Sequence, residues 1–203
     1  MLITETDRER IVGAIRDAEM RTSGEIFCVI ASASSDFRLV PIAWAAAIAL
    51  LVPLPLIHLT QWAAETIYAI QLAAFVIAAL ILSRRAIRFA IVPRQRKNER
   101  AHAEAMNQFF AHELDQTEQR TGVLIFASVG ERYAEIVADA GINAKVPQEV
   151  WDSAIDAMVS AIRAGRPADG FVAAIEQCGA VLAQHFPPGT LNRDELPNKL
   201  VEI

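Results

Sequence analysis

Three carboxylates, Asp36, Glu131 and Asp139, stand just beyond short apolar runs, with Ser32, Ser34 and Ser128 close by in the sequence. Clustered oxygen donors of this kind suit a hard cation, so the three carboxylates are candidate ligands for Ca²⁺ or another divalent ion. The alternative is that they are solvated loop residues, with Glu131 and Arg132 bracketing a turn. His102 and His112 do not assemble into a site on spacing: they lie ten residues apart in one helical stretch. Ala111-His112-Glu113-Leu114 also lacks the second histidine of a zinc-protease motif. No Gly-x-Ser-x-Gly, Walker loop or dinucleotide glycine pattern occurs, so hydrolase, NTPase and Rossmann readings have no local support and no catalytic residue is assigned. Trp151-Asp152 fits ordinary packing and dipole complement at a helix start.

The elements that must position the carboxylates read as one split α/β domain. Thr6-Asp7-Arg8-Glu9 has capping-box spacing, and Ile11, Val12, Ile15 and Ala18 follow at helical intervals, predicting a helix to about Arg21. Glu25 to Ala31 is a short apolar run, as expected for a strand buried on both faces. Arg94 to Arg120 reads as one long helix with Ala103, Met106, Phe109, Phe110 and Leu114 on its apolar face. Val123 to Val129 is a second buried strand, and Tyr133 to Ala138 is a third that pairs with it as a hairpin. Helices over about 147–164 and 168–185 follow, separated by Gly165-Arg166-Pro167. Strand, crossover helix and strand make a right-handed βαβ unit. The expected fold is therefore α/β, a three-layer α/β/α sandwich with a small mixed sheet. Ligand sites in such sheets lie at the carboxyl ends of parallel strands. Ser32, Ser34 and Asp36 would there share a crevice with Ser128, Glu131 and Arg132.

Between the first strand and the rest lies a different kind of sequence. No Asp, Glu, Lys or Arg occurs from Leu39 to Ala64, nor from Thr66 to Ser83. Each run is long enough to cross a hydrocarbon core of roughly 30 Å as a helix, which predicts a transmembrane hairpin over about 39–57 and 67–83. Trp44, Trp62 and Tyr68 fall near the span ends, and Pro53 and Pro55 should kink or end the first helix. Arg84, Arg85, Arg88, Arg94, Arg96 and Lys97 crowd one end of the pair and Arg38 precedes it, whereas the connector has neither Lys nor Arg. The positive-inside bias then places both termini and the α/β domain in the cytoplasm, at the inner (plasma) membrane of a bacterium. The basic cluster is also expected to attract anionic headgroups. The predicted divisions are 1–38, 39–83, 84–186 and a loosely docked tail over 187–203.

Composition agrees with one domain plus a lipid-facing segment: 53% of residues are apolar and 21% charged. A net charge of −5 argues against nucleic acid as a partner. Cys28 and Cys178 form no metal-ligand spacing, and a reducing compartment fits them. No secretory signal pattern opens the chain.

Three stretches together resemble a known family. Ser23-Gly24-Glu25-Ile26 leads into the first strand. Gly122-Val123-Leu124-Ile125-Phe126-Ala127-Ser128 is followed by Glu131-Arg132, and Ile136-Val137-Ala138-Asp139-Ala140-Gly141-Ile142 closes the set. Their order and spacing resemble the TPM domain of plant thylakoid proteins and many bacterial membrane proteins, across essentially the whole soluble part. The resemblance implies an α/β/α sandwich. It also implies a role among those associated with the family: acid phosphatase activity, repair of a photosynthetic complex, calcium binding, or assembly of a membrane complex. This chain departs from the family pattern in having Glu131-Arg132 for Asp-Arg and Gly141-Ile142-Asn143 for Gly-Leu-Glu. The expected function is a non-catalytic binding or assembly module, possible also as a homo-oligomer through Ala43, Ala46 and Ala47. Weak phosphatase action near the membrane surface is the alternative.

Overall fold

A computed structural model describes residues 3–188 and 196–203, with Arg85 and Ala86 as backbone alone. The first part of the expected tail, residues 189–195, lies outside the described residues. The chain forms two compact units, Met1–Ser34 with Asn98–Ile203, and Ser35–Lys97.

In the first unit, helix α1 (Glu5–Glu19) starts two residues ahead of the predicted capping box. Thr4 is the cap: its hydroxyl accepts the Asp7 amide at 3.2 Å and donates to the Asp7 carboxylate at 2.8 Å. Ile11, Ile15 and Ala18 form the buried face. Strand β1 (Glu25–Ala31) pairs in parallel with β2 (Gly122–Ser128), Glu25 opposite Gly122 and Ala31 opposite Ser128. Strand β3 (Tyr133–Ala138) runs antiparallel beside β2. Every residue of β1 and β2 is buried, as expected for inner strands covered on both faces.

Because strand side chains alternate, the sheet feeds two cores. Ile26, Cys28, Ile30 and Ile125 point to one side and pack with α1, α8 (Asp152–Arg163) and α9 (Pro167–His185), around Trp151, Met158 and Phe171. Phe27, Val29, Leu124 and Phe126 point to the other side and meet Ala101, Ala105 and Phe109 of α6 (Arg94–Ala111). The fold is thus an α/β/α sandwich.

The crossover helix is shorter than expected. α6 ends at Ala111, Glu113 takes a left-handed φ of 56°, and a 3₁₀ turn over Leu114–Gln116 inserts Leu114 into the core. The carbonyl of Leu114 lies against Gly122, where any Cβ would collide with it. Glycine there lets the turn close onto the start of β2.

A second correction concerns the tail. Its end, Leu200–Glu202, is a fourth strand, β4, parallel to β1 with Leu200 opposite Cys28, giving the sheet order β3-β2-β1-β4. The open edge of β1 supplies the reason. The Ile203 amide donates to Ile30 and the Ser32 amide donates to Ile203, so backbone groups along that edge of β1 are paired. Leu200 is 2% exposed, and Arg8 donates to its carbonyl at 2.7 Å and to Glu202 at 2.7 Å.

The second unit carries α2 (Leu39–Leu51), α3 (Pro53–Leu59), α4 (Ala64–Leu82) and α5 (Arg85–Ile91). Pro53 occupies a first-turn position, and Val52 keeps α-helical angles, so Leu39–Leu59 runs as one apolar stretch of 21 residues. This stretch and Ala64–Leu82 are both long and apolar enough to cross a membrane.

Candidate functional site

The carboxyl ends of β1 and β2 bring together most of the residues expected there. Gly130 donates its amide to the Ser32 carbonyl at 3.1 Å, and Val129 donates to Ala31 at 3.0 Å, so the two strand ends are tied directly. Arg132 takes a left-handed φ of 54° in the turn after β2, and Glu131 beside it is turned inward. Glu131 is 7% exposed. Its carboxylate accepts the Ser34 amide at 3.2 and 3.1 Å and the hydroxyl of Ser128, a residue with no exposed surface. Charge-assisted bonds of this kind are what make a buried carboxylate tolerable. A carboxylate accepting from a serine hydroxyl resembles a base beside a nucleophile. Here the hydroxyl is sealed within the strand, so the pair acts as a clasp between two loops. The Ser34 hydroxyl is buried beside it without a partner.

The three expected cation ligands are not brought together. Asp36 belongs to the other unit, where its exposed carboxylate pairs with Arg38 at 2.7 Å. Asp139 follows β3 and donates its amide to Gly122, at the start of β2, while Glu131 follows the end of β2. At about 3.3 Å per residue, that is a separation of roughly 20 Å along the ladder. Asp139 instead caps helix α7 (Ala140–Asn143), its Oδ1 accepting the Ala140 amide at 2.6 Å, and its Oδ2 lies 2.9 Å from Arg120. Among the described residues no group of three or more His, Cys, Asp or Glu side chains could hold a metal ion. The sequence error is one of direction: an antiparallel hairpin returns its last residue to the opposite end of the sheet.

A polar group that spacing did not reveal lies between α6 and β3. His102 Nδ1 approaches the Glu135 carboxylate at 2.8 and 3.0 Å, and the Tyr133 hydroxyl donates to the same carboxylate at 2.9 Å. Burial first, and then Glu135, push the Tyr133 hydroxyl well above its usual range. Its sequence signal is the alternation Tyr133-x-Glu135, which puts both side chains on one face of β3. His112 is placed differently, its ring 4.3 Å from that of Phe27. Burial and then the Lys199 charge lower its pKa. Burial also pushes up the thiols of Cys28 and Cys178, the latter to about 12, so both behave as core atoms.

With this geometry in hand, the TPM domain family matches residues 81–181. The chain is a member of the TPM domain family. The matched stretch begins at the end of the second apolar helix and stops within α9, leaving β1 on the far side of the hairpin. Among solved structures, the NMR structure of BA42 protein from the psychrophilic bacterium Bizionia argentinensis is similar. Its TM-score is 0.62 and its identity 24%, with 99% of this chain and 95% of that chain covered. This likeness shows the fold. No curated protein matches the chain.

Proposed function

We propose that the chain is a membrane-anchored TPM-domain protein whose α/β unit binds a partner protein and supports assembly or maintenance of a membrane complex. The observation that carries the reading is the exposure of the second unit's apolar side chains. Leu39 is 80% exposed, Leu59 82% and Leu80 68%, with Trp44, Ile57, Trp62, Leu72 and Ile77 also exposed. An apolar surface of that extent is costly in water and favourable in hydrocarbon. The helices satisfy their own backbone groups, as a bilayer requires. In this reading the protein is multi-pass in a bacterial inner membrane. Arg38 and the cations from Arg84 to Lys97 hold both ends of the hairpin, and with them the α/β unit, in the cytoplasm.

Binding rather than chemistry is favoured because the polar groups at the strand ends already serve the chain: Glu131 clasps Ser34 and Ser128, and Asp139 caps a helix. Arg132 is left exposed at that edge as a contact for an acidic surface on the partner. A divalent ion, if the complex uses one, needs oxygen donors from the partner, since the three carboxylates of this chain do not converge.

The test is topology in intact membranes, with a C-terminal tag and protease access from each side, after alkaline carbonate treatment. Retention in the membrane with a cytoplasmic tag is expected. Extraction by carbonate, or an exported tag, overturns the anchoring or its orientation. Crosslinking in intact membranes with a bifunctional reagent, Arg132 left in place, then tests the binding surface. A discrete adduct, lost on Arg132→Glu, is expected; crosslinks to lipid alone count against a protein partner.

A further inference from the structure

The residues from Ser83 to Asn98 include Arg84, Arg85, Arg88, Arg94, Arg96 and Lys97, and no Asp or Glu. Their arrangement is more particular than a diffuse charge. Helix α5 follows α4 through Ser83 and Arg84 alone, so its first turn sits where the apolar span stops. The Arg88 amide donates to the Arg84 carbonyl at 2.9 Å, which places these two cations one turn apart on one side of α5. Like charges at that spacing repel unless an anion lies between them.

Arg88 adds an independent sign. Its Nε is buried and has no hydrogen-bond acceptor. Its guanidinium carbon lies 5.7 Å from the centroid of the Phe89 ring, and that ring meets Phe37 edge-on at 5.9 Å. Lys97 holds the Phe89 carbonyl at 3.0 Å. The guanidinium is thus fixed against an aromatic pair with one donor turned away from water. With Nε covered, the terminal guanidinium nitrogens are the ones that can meet a group from outside, and a phosphate oxygen is the acceptor that suits their charge and planar fork. A signal that only orients the hairpin would need charge but not a guanidinium held in place against a ring.

We propose that Arg84 and Arg88 form a phosphate-binding fork for the headgroup of an anionic phospholipid of the phosphatidylglycerol type. The fork sits at the boundary between the second apolar span and α5. Arg94, Arg96 and Lys97 contribute the general field that draws anionic lipid to it. The inference rests on the membrane reading above, because a lipid phosphate reaches α5 only if α4 is embedded.

The test uses the full chain purified in a neutral detergent, with equal amounts of phosphatidylglycerol and phosphatidylcholine added and retained lipid counted by native mass spectrometry. Preferential retention of phosphatidylglycerol is expected. Arg88→Gln should reduce it about five-fold, the weight of one well-placed cation near a membrane surface, and Arg84→Gln should act likewise. Arg96→Gln removes the same charge outside the fork and should cost less than about two-fold. Equal losses in Arg88→Gln and Arg96→Gln would reduce the site to a field and overturn the fork. Equal retention of both lipids, or full competition by millimolar inorganic phosphate, would also overturn it. Should Arg88→Gln fail to fold, the Arg84→Gln comparison with Arg96→Gln decides the matter. Carbonate resistance of each variant is read in parallel, so loss of lipid preference in a protein still embedded indicts the fork and not the anchoring.

Discussion

Glu131 receives the Ser34 backbone amide on both carboxylate oxygens, at 3.2 and 3.1 Å, across 97 residues of sequence. Ser34 is the last residue of the α/β unit before the chain enters the apolar unit, and Glu131 follows the strand that lies beside it. One buried side chain therefore fastens the exit from β1 to the turn after β2.

Replacing this carboxylate should loosen that fastening. Glu131→Gln keeps the volume but loses the charge-assisted bonds, and a loss of about 1–3 kcal/mol is expected. Chemical denaturation in detergent measures it. Unchanged stability together with a lost partner crosslink would instead make Glu131 a contact residue.

Asp139 should behave as a cap and not as a cation ligand. Asp139→Ala is expected to cost about 0.5–2 kcal/mol through the Ala140 amide it leaves unpaired. Calcium should raise the melting temperature no differently in Asp139→Asn and in the parent. A calcium-dependent rise abolished equally by Asp139→Asn and Glu131→Gln would put the two in one site, against the geometry.

The contrast between these carboxylates shows what the sequence carried. Two buried strands, their parallel pairing and the hairpin after them were legible because apolar runs and turn residues act locally. The meeting of Ser32, Ser34, Ser128 and Glu131 at the strand ends followed from that pairing. What a side chain does when it arrives there was not legible: Glu131 faces inward to accept the Ser34 amide, in a turn where Arg132 takes a left-handed φ, and no spacing rule announces that. The fourth strand was missed for a similar reason. Leu200-Val201-Glu202 has no periodicity of its own and becomes a strand only against an open edge of β1.

Leu200 should be the energetic centre of that strand. Leu200→Ala removes a side chain that is 2% exposed, and about 2–4 kcal/mol is expected from lost burial and the cavity left. Removal of residues 200–203 should also accelerate hydrogen exchange at Ile30 and Ser32. Unaltered protection there would mean that β4 contributes little to the edge.

Acid should weaken the face that holds His112. Its folded pKa is lowered, chiefly by burial, so the unfolded chain takes up the proton more readily. Stability from this residue is then complete above the ordinary histidine range and is lost as pH falls through it. His112→Phe preserves the stacking on Phe27 and should flatten the slope of stability against pH between about 7 and 5. A slope unchanged in that variant would assign the acid sensitivity to other groups.

The position of β1 inside the sheet sets an order of events during synthesis. Its neighbours are β2, which starts at Gly122, and β4, which starts at Leu200. Between β1 and β2 the chain carries two apolar helices, which on the membrane reading proposed above must enter a bilayer. When β1 leaves the ribosome it has nothing to pair with, and it stays unpaired while the apolar helices are made. Both of its edges are satisfied only after residue 202 has been made. The sheet is thus completed only after both apolar helices have been made and, on the membrane reading proposed above, on a chain already tethered. Tethering shortens the search that such distant pairings otherwise impose. The wait also leaves an exposed β1 open to chaperones and proteases while its partners are still being made.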